Sequence, residues 1–233
     1  METFTLSVII PVFNEKNTIL EVLKRVEEVN LDKIGFKKEI IIVDDASTDG
    51  TKEILEGLGE KYKIIYHIKN QGKGEAIKTA LKETTGEYII IQDADLEYHP
   101  KDYKKLLEPV LGKKTEVVYG SRWLNPKNDH PYKLFYWGVL FLTSLVNFLY
   151  NQKLTDVSTC YKLFKTKLLK EINLEYSGFE FCCEATAKIA KKGIKIHEVP
   201  IDYSPRMKEG AKKIKLTDGF KMIFVLLIIK LKN

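Results

Sequence analysis

An α/β fold with a single doubly wound, mainly parallel sheet flanked by helices is predicted by three features of this 233-residue sequence. Short β-branched runs alternate with longer segments of helical period through the first half, and each run ends in polar residues. The 44% hydrophobic content is enough to fill a substantial core. In such a sheet the strands are joined by crossover helices, and ligands bind beyond the carboxyl ends of the strands.

The first strand is Leu6 to Ile10, stopped by Pro11, which has no N–H to donate. Asn17 to Val29 follows with helical period, opened by Asn14 or Asn17 as a cap. Glu39 to Val43 is the second strand, and Ser47, Thr48 and Asp49 suit the start of a helix from Asp49 to Leu58. After a third strand, Lys63 to His67, the turn Gln71-Gly72-Lys73-Gly74 opens a helix from Lys73 to Glu83; it lacks the spacing of a Walker loop. Tyr88 to Gln92 is the fourth strand. A helix from Lys101 to Leu111 has Pro100 at its first turn, and Val117 to Tyr119 is the fifth strand.

The second half changes character. Leu134 to Gln152 carries no charge, and Thr143, Ser144, Asn147 and Asn151 form one polar stripe at helical spacing. Its length approaches what a bilayer crossing requires, so it lies in a membrane interface, packs as a core helix, or spans. Met222 to Ile229 is apolar but too short to span; Lys221, Lys230 and Lys232 bracket it, and Lys208, Lys212, Lys213 and Lys215 precede it. Apolar residues flanked by cations suit an anionic membrane surface, and a solvated charge run is the plainer alternative. Asn125 to Pro131 reads as a loop rather than a linker, so residues 1–233 are expected to form one domain, with a ligand-binding half at 1–125 and a membrane-associating half at 126–233.

Composition narrows the classes. The +6 charge comes from 38 basic and 32 acidic residues that are interspersed, without the concentrated basic face of a nucleic-acid binder. Cys160, Cys182 and Cys183 fit neither a disulfide framework nor a zinc pattern and read as small buried hydrophobes in a reducing compartment. The N-terminus runs into the first strand with no basic n-region or small-residue cleavage site, so no signal peptide is read and a cytoplasmic location is the expectation. No histidine has metal-ligand spacing, and no Gly-x-Ser-x-Gly elbow is present.

Chemistry concentrates at the strand ends. Asp93 and Asp95 follow an apolar strand; side chains two apart share a face, so both can approach one Mg²⁺ or Mn²⁺, with Glu97 as a third oxygen ligand. Asp44 and Asp45 end the second strand as acceptors for a base or ribose, while Phe13 offers a ring face and Glu15 an acceptor. Gly120-Ser121-Arg122 points a fixed cation into the same crevice, and Arg206, Lys212 and Lys213 can join it as an anion clamp, or remain solvated.

Taken together, Val8-Ile9-Ile10-Pro11-Val12-Phe13-Asn14-Glu15, Val43-Asp44-Asp45-Ala46-Ser47-Thr48-Asp49-Gly50-Thr51, Gln92-Asp93-Ala94-Asp95-Leu96-Glu97 and Gly120-Ser121-Arg122 resemble a family 2 glycosyltransferase of the GT-A fold. Thr155 to Lys162 and Glu198 to Arg206 extend the likeness to polyprenol-phosphate sugar transferases such as dolichol-phosphate mannose synthase. The resemblance implies that Pro11, Phe13, Glu15, Val43 and Asp45 hold the nucleoside, with Lys73 near the donor. It implies that Asp93, Ala94 and Asp95 serve sugar, diphosphate and metal, and that Arg122 and Arg206 bind phosphate. Two positions depart from it: Glu97 stands where mannose synthases commonly have Gln, and Glu180 stands where some have a cation and other family 2 enzymes an acidic base.

The expected activity is inverting transfer from a UDP- or GDP-sugar to a polyprenyl phosphate by an enzyme peripherally bound to the membrane. A phosphate acceptor is already ionised near neutrality and needs no base. Two rivals remain: extension of a glycan hydroxyl with Glu180 or Asp156 as base, and a catalytically silent nucleotide-binding membrane module. Oligomeric state is not legible in the sequence.

Overall fold

The computed structural model describes residues 3–112, 115–206 and 216–232. Strand β1 (Phe4–Val12) lies at the centre of the sheet, and Leu6 to Ile10 are fully buried because both faces of the sheet are covered. It pairs in parallel with β2 (Phe36–Asp44) and β4 (Tyr88–Ile91), and β3 (Lys63–Tyr66) adds to β2. The register sets Val12 beside Asp44 and Ile9 beside Ile91, so the polar strand exits open into one crevice. Helices α1 (Ile19–Glu28), α2 (Thr51–Glu56) and α3 (Lys73–Glu83) connect these strands and α4 (Tyr103–Leu111) follows β4, all close to the bounds expected from periodicity.

Beyond β4 the order is β6, β5, β7, with β5 at Val117–Ser121, β6 at Lys162–Lys165 and β7 at His197–Pro200. Strand β6 runs antiparallel to both β4 and β5, while β5 and β7 are parallel. Helices α5 (Lys133–Tyr150), α6 (Thr166–Glu171), α7 (Phe181–Lys191) and α8 (Leu216–Leu231) complete the mixed α/β architecture. All three cysteines are buried and free.

One local expectation needs correction. Neither Asn14 nor Asn17 caps α1. The cap position is Thr18, whose side chain makes no capping bond, and Asn14 instead takes a left-handed φ of 54° and ties two loops together. The polar residues of α5 differ in exposure. Thr143 is buried and Asn147 half-buried against a neighbouring loop, whereas Ser144 is exposed. The outward face carries Leu134, Trp137, Phe141 and Phe148. Helix α5 is long and apolar enough to cross a membrane by length and composition, with Leu142, Thr143, Val146 and Tyr150 buried in the protein.

Candidate functional site

Three non-glycine residues take left-handed backbone at the crevice: Asn14 after β1, Ala46 after β2 and Leu96 after β4, with φ of 54°, 62° and 64°. Such conformations are uncommon for alanine and leucine and mark turns held by their surroundings. Here those surroundings are loop-to-loop bonds. Asn14 N–H donates to Ser47 Oγ at 2.9 Å, and Thr48 N–H donates to Asn14 Oδ1 at 2.8 Å. Ser47, Thr48 and Asp49 thus serve the turn, and Asp49 Oδ1 accepts from Thr51 N at the start of α2.

The two carboxylates after β4 have different partners. Lys73, from the first turn of α3, donates its Nζ to Asp93 Oδ1 at 2.5 Å. Asp95 Oδ2 accepts from Arg206 Nη2 at 3.2 Å, and the same nitrogen reaches Glu15 Oε1 at 3.1 Å. Arg206, nearly two hundred residues from Glu15, is therefore the cation that joins the exits of β1 and β4. Burial, reinforced by the charges of Asp93 and Glu97 and opposed by Arg206, pushes the Asp95 carboxyl up to about 7. Glu97 turns to other work: Oε2 accepts from Tyr203 Oη at 3.0 Å and Oε1 from Arg206 N at 3.0 Å. Among the described residues no three His, Cys, Asp or Glu side chains are grouped closely enough to hold a metal ion by themselves.

Asp45 holds the loop that precedes α3. Its oxygens accept from Gln71 N (2.9 Å) and Gly72 N (2.8 Å), and His67 Nδ1 lies 2.7 Å from Oδ1. Asp44, fully buried, receives Ser47 N–H at Oδ2 and has no hydrogen-bond partner for Oδ1 among the described residues. Val43 and Ala94 are buried beneath, and Pro11 and Phe13 are half-buried at the exit of β1.

The loop held by Asp45 is fixed against the second half of the chain. A Cβ on Gly72, whose φ is 95°, would meet Ser177 O at 2.6 Å; one on Gly74 would meet Tyr176 O at 2.7 Å and Gly178 O at 2.9 Å. Both obstacles at Gly74 are backbone and cannot swing away. Gly74→Ala is expected to cost about 2 kcal/mol by overpacking. That corresponds to a fall in Tm of about 4–8 °C, and a melting curve superimposable on the parent's would show that these segments separate easily.

Arg122 is committed in a way the sequence did not reveal. Its Nε and Nη2 donate to Asp156 Oδ2 and Oδ1 at 2.7 and 2.8 Å, its guanidinium lies over the rings of Trp123 and Tyr203, and the side chain is 13% exposed. Asp156 is fully buried with both oxygens on Arg122, which removes it as a base for a hydroxyl acceptor. Ser121 Oγ is 2.6 Å from Thr155 Oγ1 and is buried, so it braces this loop. Glu180 sits at the cap position of α7, buried, 3.9 Å from Lys221 Nζ of α8. Lys212 and Lys213 lie outside the described residues.

The family model for glycosyl transferase family 2 matches residues 7–173. A UDP-N-acetylglucosamine–dolichyl-phosphate N-acetylglucosaminyltransferase of Methanococcus voltae is 31% identical over 96% of this chain and 95% of its own length. The low-salt glycan biosynthesis hexosyltransferase Agl6 of Haloferax volcanii is 28% identical over 96% of this chain and 53% of its own length. Glucosyl-3-phosphoglycerate synthase from Mycobacterium tuberculosis, solved with Mn²⁺, uridine diphosphate and phosphoglyceric acid, shares the fold. Its TM-score is 0.72 at 18% identity, over 97% of this chain and 78% of that one.

Proposed function

The chain belongs to glycosyl transferase family 2, and from that membership we propose that it transfers a sugar from a nucleotide-diphosphate donor to a polyprenyl phosphate at the cytoplasmic membrane face. It is a hexosyltransferase by family and relatives. The acceptor assignment is carried by one observation: Tyr132 Oη, just before α5, donates to Arg206 O at 2.5 Å, while Arg206 itself grips Asp95 and Glu15. The apolar helix is thereby anchored at the acidic end of the crevice. A lipid held against α5 would bring its headgroup to the donor.

In this reading the C1–O bond to the diphosphate breaks as a phosphate oxygen of the lipid attacks C1 from the opposite face, and the nucleoside diphosphate leaves with the electron pair. Arg206 and Lys73 stabilise its charge, and Arg122 holds the incoming phosphate. Asp45 lies at the exit of β2 beside the fully buried Asp44 and is the carboxylate of that pair assigned to the nucleoside. The donor set fits a divalent cation. Asp93 and Asp95 crowd negative charge at one strand exit, Arg206 already supplies positive charge there, and Mg²⁺ is commonly held by one or two carboxylates plus substrate phosphates. Asp93 and Asp95 would hold such an ion, which would screen the diphosphate.

The test is a screen of UDP- and GDP-sugars against polyprenyl phosphate with Mg²⁺ or Mn²⁺ in detergent or membranes. Glycosylated lipid phosphate from one nucleotide class is expected. Transfer only to a sugar hydroxyl, abolished by Glu180→Gln, would replace this reading with glycan extension.

A further inference from the structure

Arg122 is aimed by a loop whose backbone is bound almost wholly by side chains. Asn147 of α5 accepts from Leu154 N and donates to Leu154 O, both at 2.8 Å. Glu198 of β7 accepts from Thr155 N at 2.7 Å and Asp156 N at 3.0 Å. Thr143 Oγ1 of α5 accepts from Val157 N at 3.2 Å, and Lys162 Nζ of β6 donates to Val157 O at 2.8 Å. Four consecutive residues thus have six backbone groups taken by three separate elements.

Ordinary loops satisfy their backbone with water or neighbouring turns, and burying ionisable side chains for the purpose is costly. Lys162 is fully buried, with its ammonium 3.6 Å from the centroid of the Tyr119 ring. Burial pulls the Lys162 pKa down and pushes the Glu198 pKa up, so each resists the charge it carries. What these groups hold in place is Asp156, whose carboxylate meets Arg122 in a two-pronged pair. The residues on α5 that face this loop lie opposite the outward Trp137, Phe141 and Phe148.

We propose that Thr143, Asn147, Lys162 and Glu198 are positioning residues: they fix Leu154–Val157 so that Asp156 aims the Arg122 guanidinium, and they tie the outward apolar helix mechanically to that anion site. The inference rests on the assignment of Arg122 to the acceptor phosphate. A hydroxyl on Thr143 is required, not merely its volume. Val keeps the shape and leaves Val157 N–H unpaired, whereas Ser keeps the bond and loses a methyl.

The experiment measures calorimetric binding of decyl phosphate, UDP and GDP to the parent, Thr143→Val and Thr143→Ser, with Asn147→Leu as a second route into the same loop. Thr143→Val and Asn147→Leu are expected to weaken decyl phosphate about tenfold, as an unpaired buried donor or acceptor would, and Thr143→Ser about twofold or less. Nucleotide affinity should hold in all of them. Equal decyl phosphate affinity in Thr143→Val and parent, or a parallel loss of nucleotide and decyl phosphate, overturns the proposal. If the parent binds no decyl phosphate and glycosylates no polyprenyl phosphate, the acceptor assignment fails by itself. The positioning role is then judged by amide hydrogen exchange over 154–157, where faster exchange in Thr143→Val but not Thr143→Ser supports it and unchanged exchange in Thr143→Val overturns it.

Discussion

Asp95→Ala lowers sugar transfer by about 10²–10³-fold, the scale of losing one preorganised electrostatic group at a reacting centre. Asp95 is the point where three constraints meet. Its Oδ1 accepts from Glu97 N at 3.1 Å across the left-handed Leu96, Arg206 holds Oδ2, and the side chain is nearly buried. Its carboxyl is held at about 7 by burial and then by Asp93 and Glu97. A cation arriving there must displace a proton at lower pH, because metal ligands bind in their deprotonated form. The sign follows: below about pH 7 the half-saturating Mn²⁺ concentration rises as pH falls, by up to about tenfold per unit, and above it the dependence flattens. Mn²⁺ binding followed by electron paramagnetic resonance, alongside transfer rates, checks both parts. Asp95→Asn, which keeps the shape, should lose the pH dependence together with the ion. Parent-like transfer and cation dependence in Asp95→Ala would remove Asp95 from the mechanism.

Much of the donor side was legible because it depends on local chemistry. An apolar run ending in acidic residues fixes a strand and its exit, and α3 was predicted from Lys73 to Glu83 and observed there. The partners of those residues were not legible. Nothing local marks Asp45 for Gln71 and Gly72 or Arg122 for Asp156, since each pair is made by the packing of distant elements. Strand β6 was hidden for a related reason. Its four residues, Lys162 to Lys165, begin and end in lysine, and a charged residue does not announce burial, yet Lys162 is fully enclosed. Helix α5 gave its length and apolar character but not the direction of its polar residues. Thr143 and Asn147 point inward because unpaired backbone at Leu154 and Val157 gives them more than water does.

The outward faces of α5 and α8 carry the second large effect. Leu134, Trp137, Phe141 and Phe148 are 65%, 66%, 58% and 85% exposed on α5. Phe220, Phe224, Leu227 and Leu231 of α8 are likewise exposed, at intervals of three and four residues that place them on one side of the helix. The two helices are joined by Tyr150 Oη to Leu226 O at 2.5 Å and by Lys230 Nζ to Leu149 O at 2.6 Å. Exposed apolar area of this extent on two joined helices exceeds scattered surface hydrophobes and marks an interaction surface, and the lysines of α8 favour an anionic one. Each large side chain contributes about 1.5–3 kcal/mol on full burial. Replacing Trp137, Phe141 and Phe224 with Glu therefore removes about 4–5 kcal/mol even at the lower figure, or about a thousandfold in partitioning. Sedimentation with phosphatidylglycerol-containing vesicles should show the triple variant in the supernatant while the parent pellets. Its UDP or GDP affinity in solution should match the parent's, because those side chains are exposed on helices α5 and α8 and not at the strand exits. Retention of the triple variant on vesicles would assign membrane attachment elsewhere and leave the stripes to a protein partner.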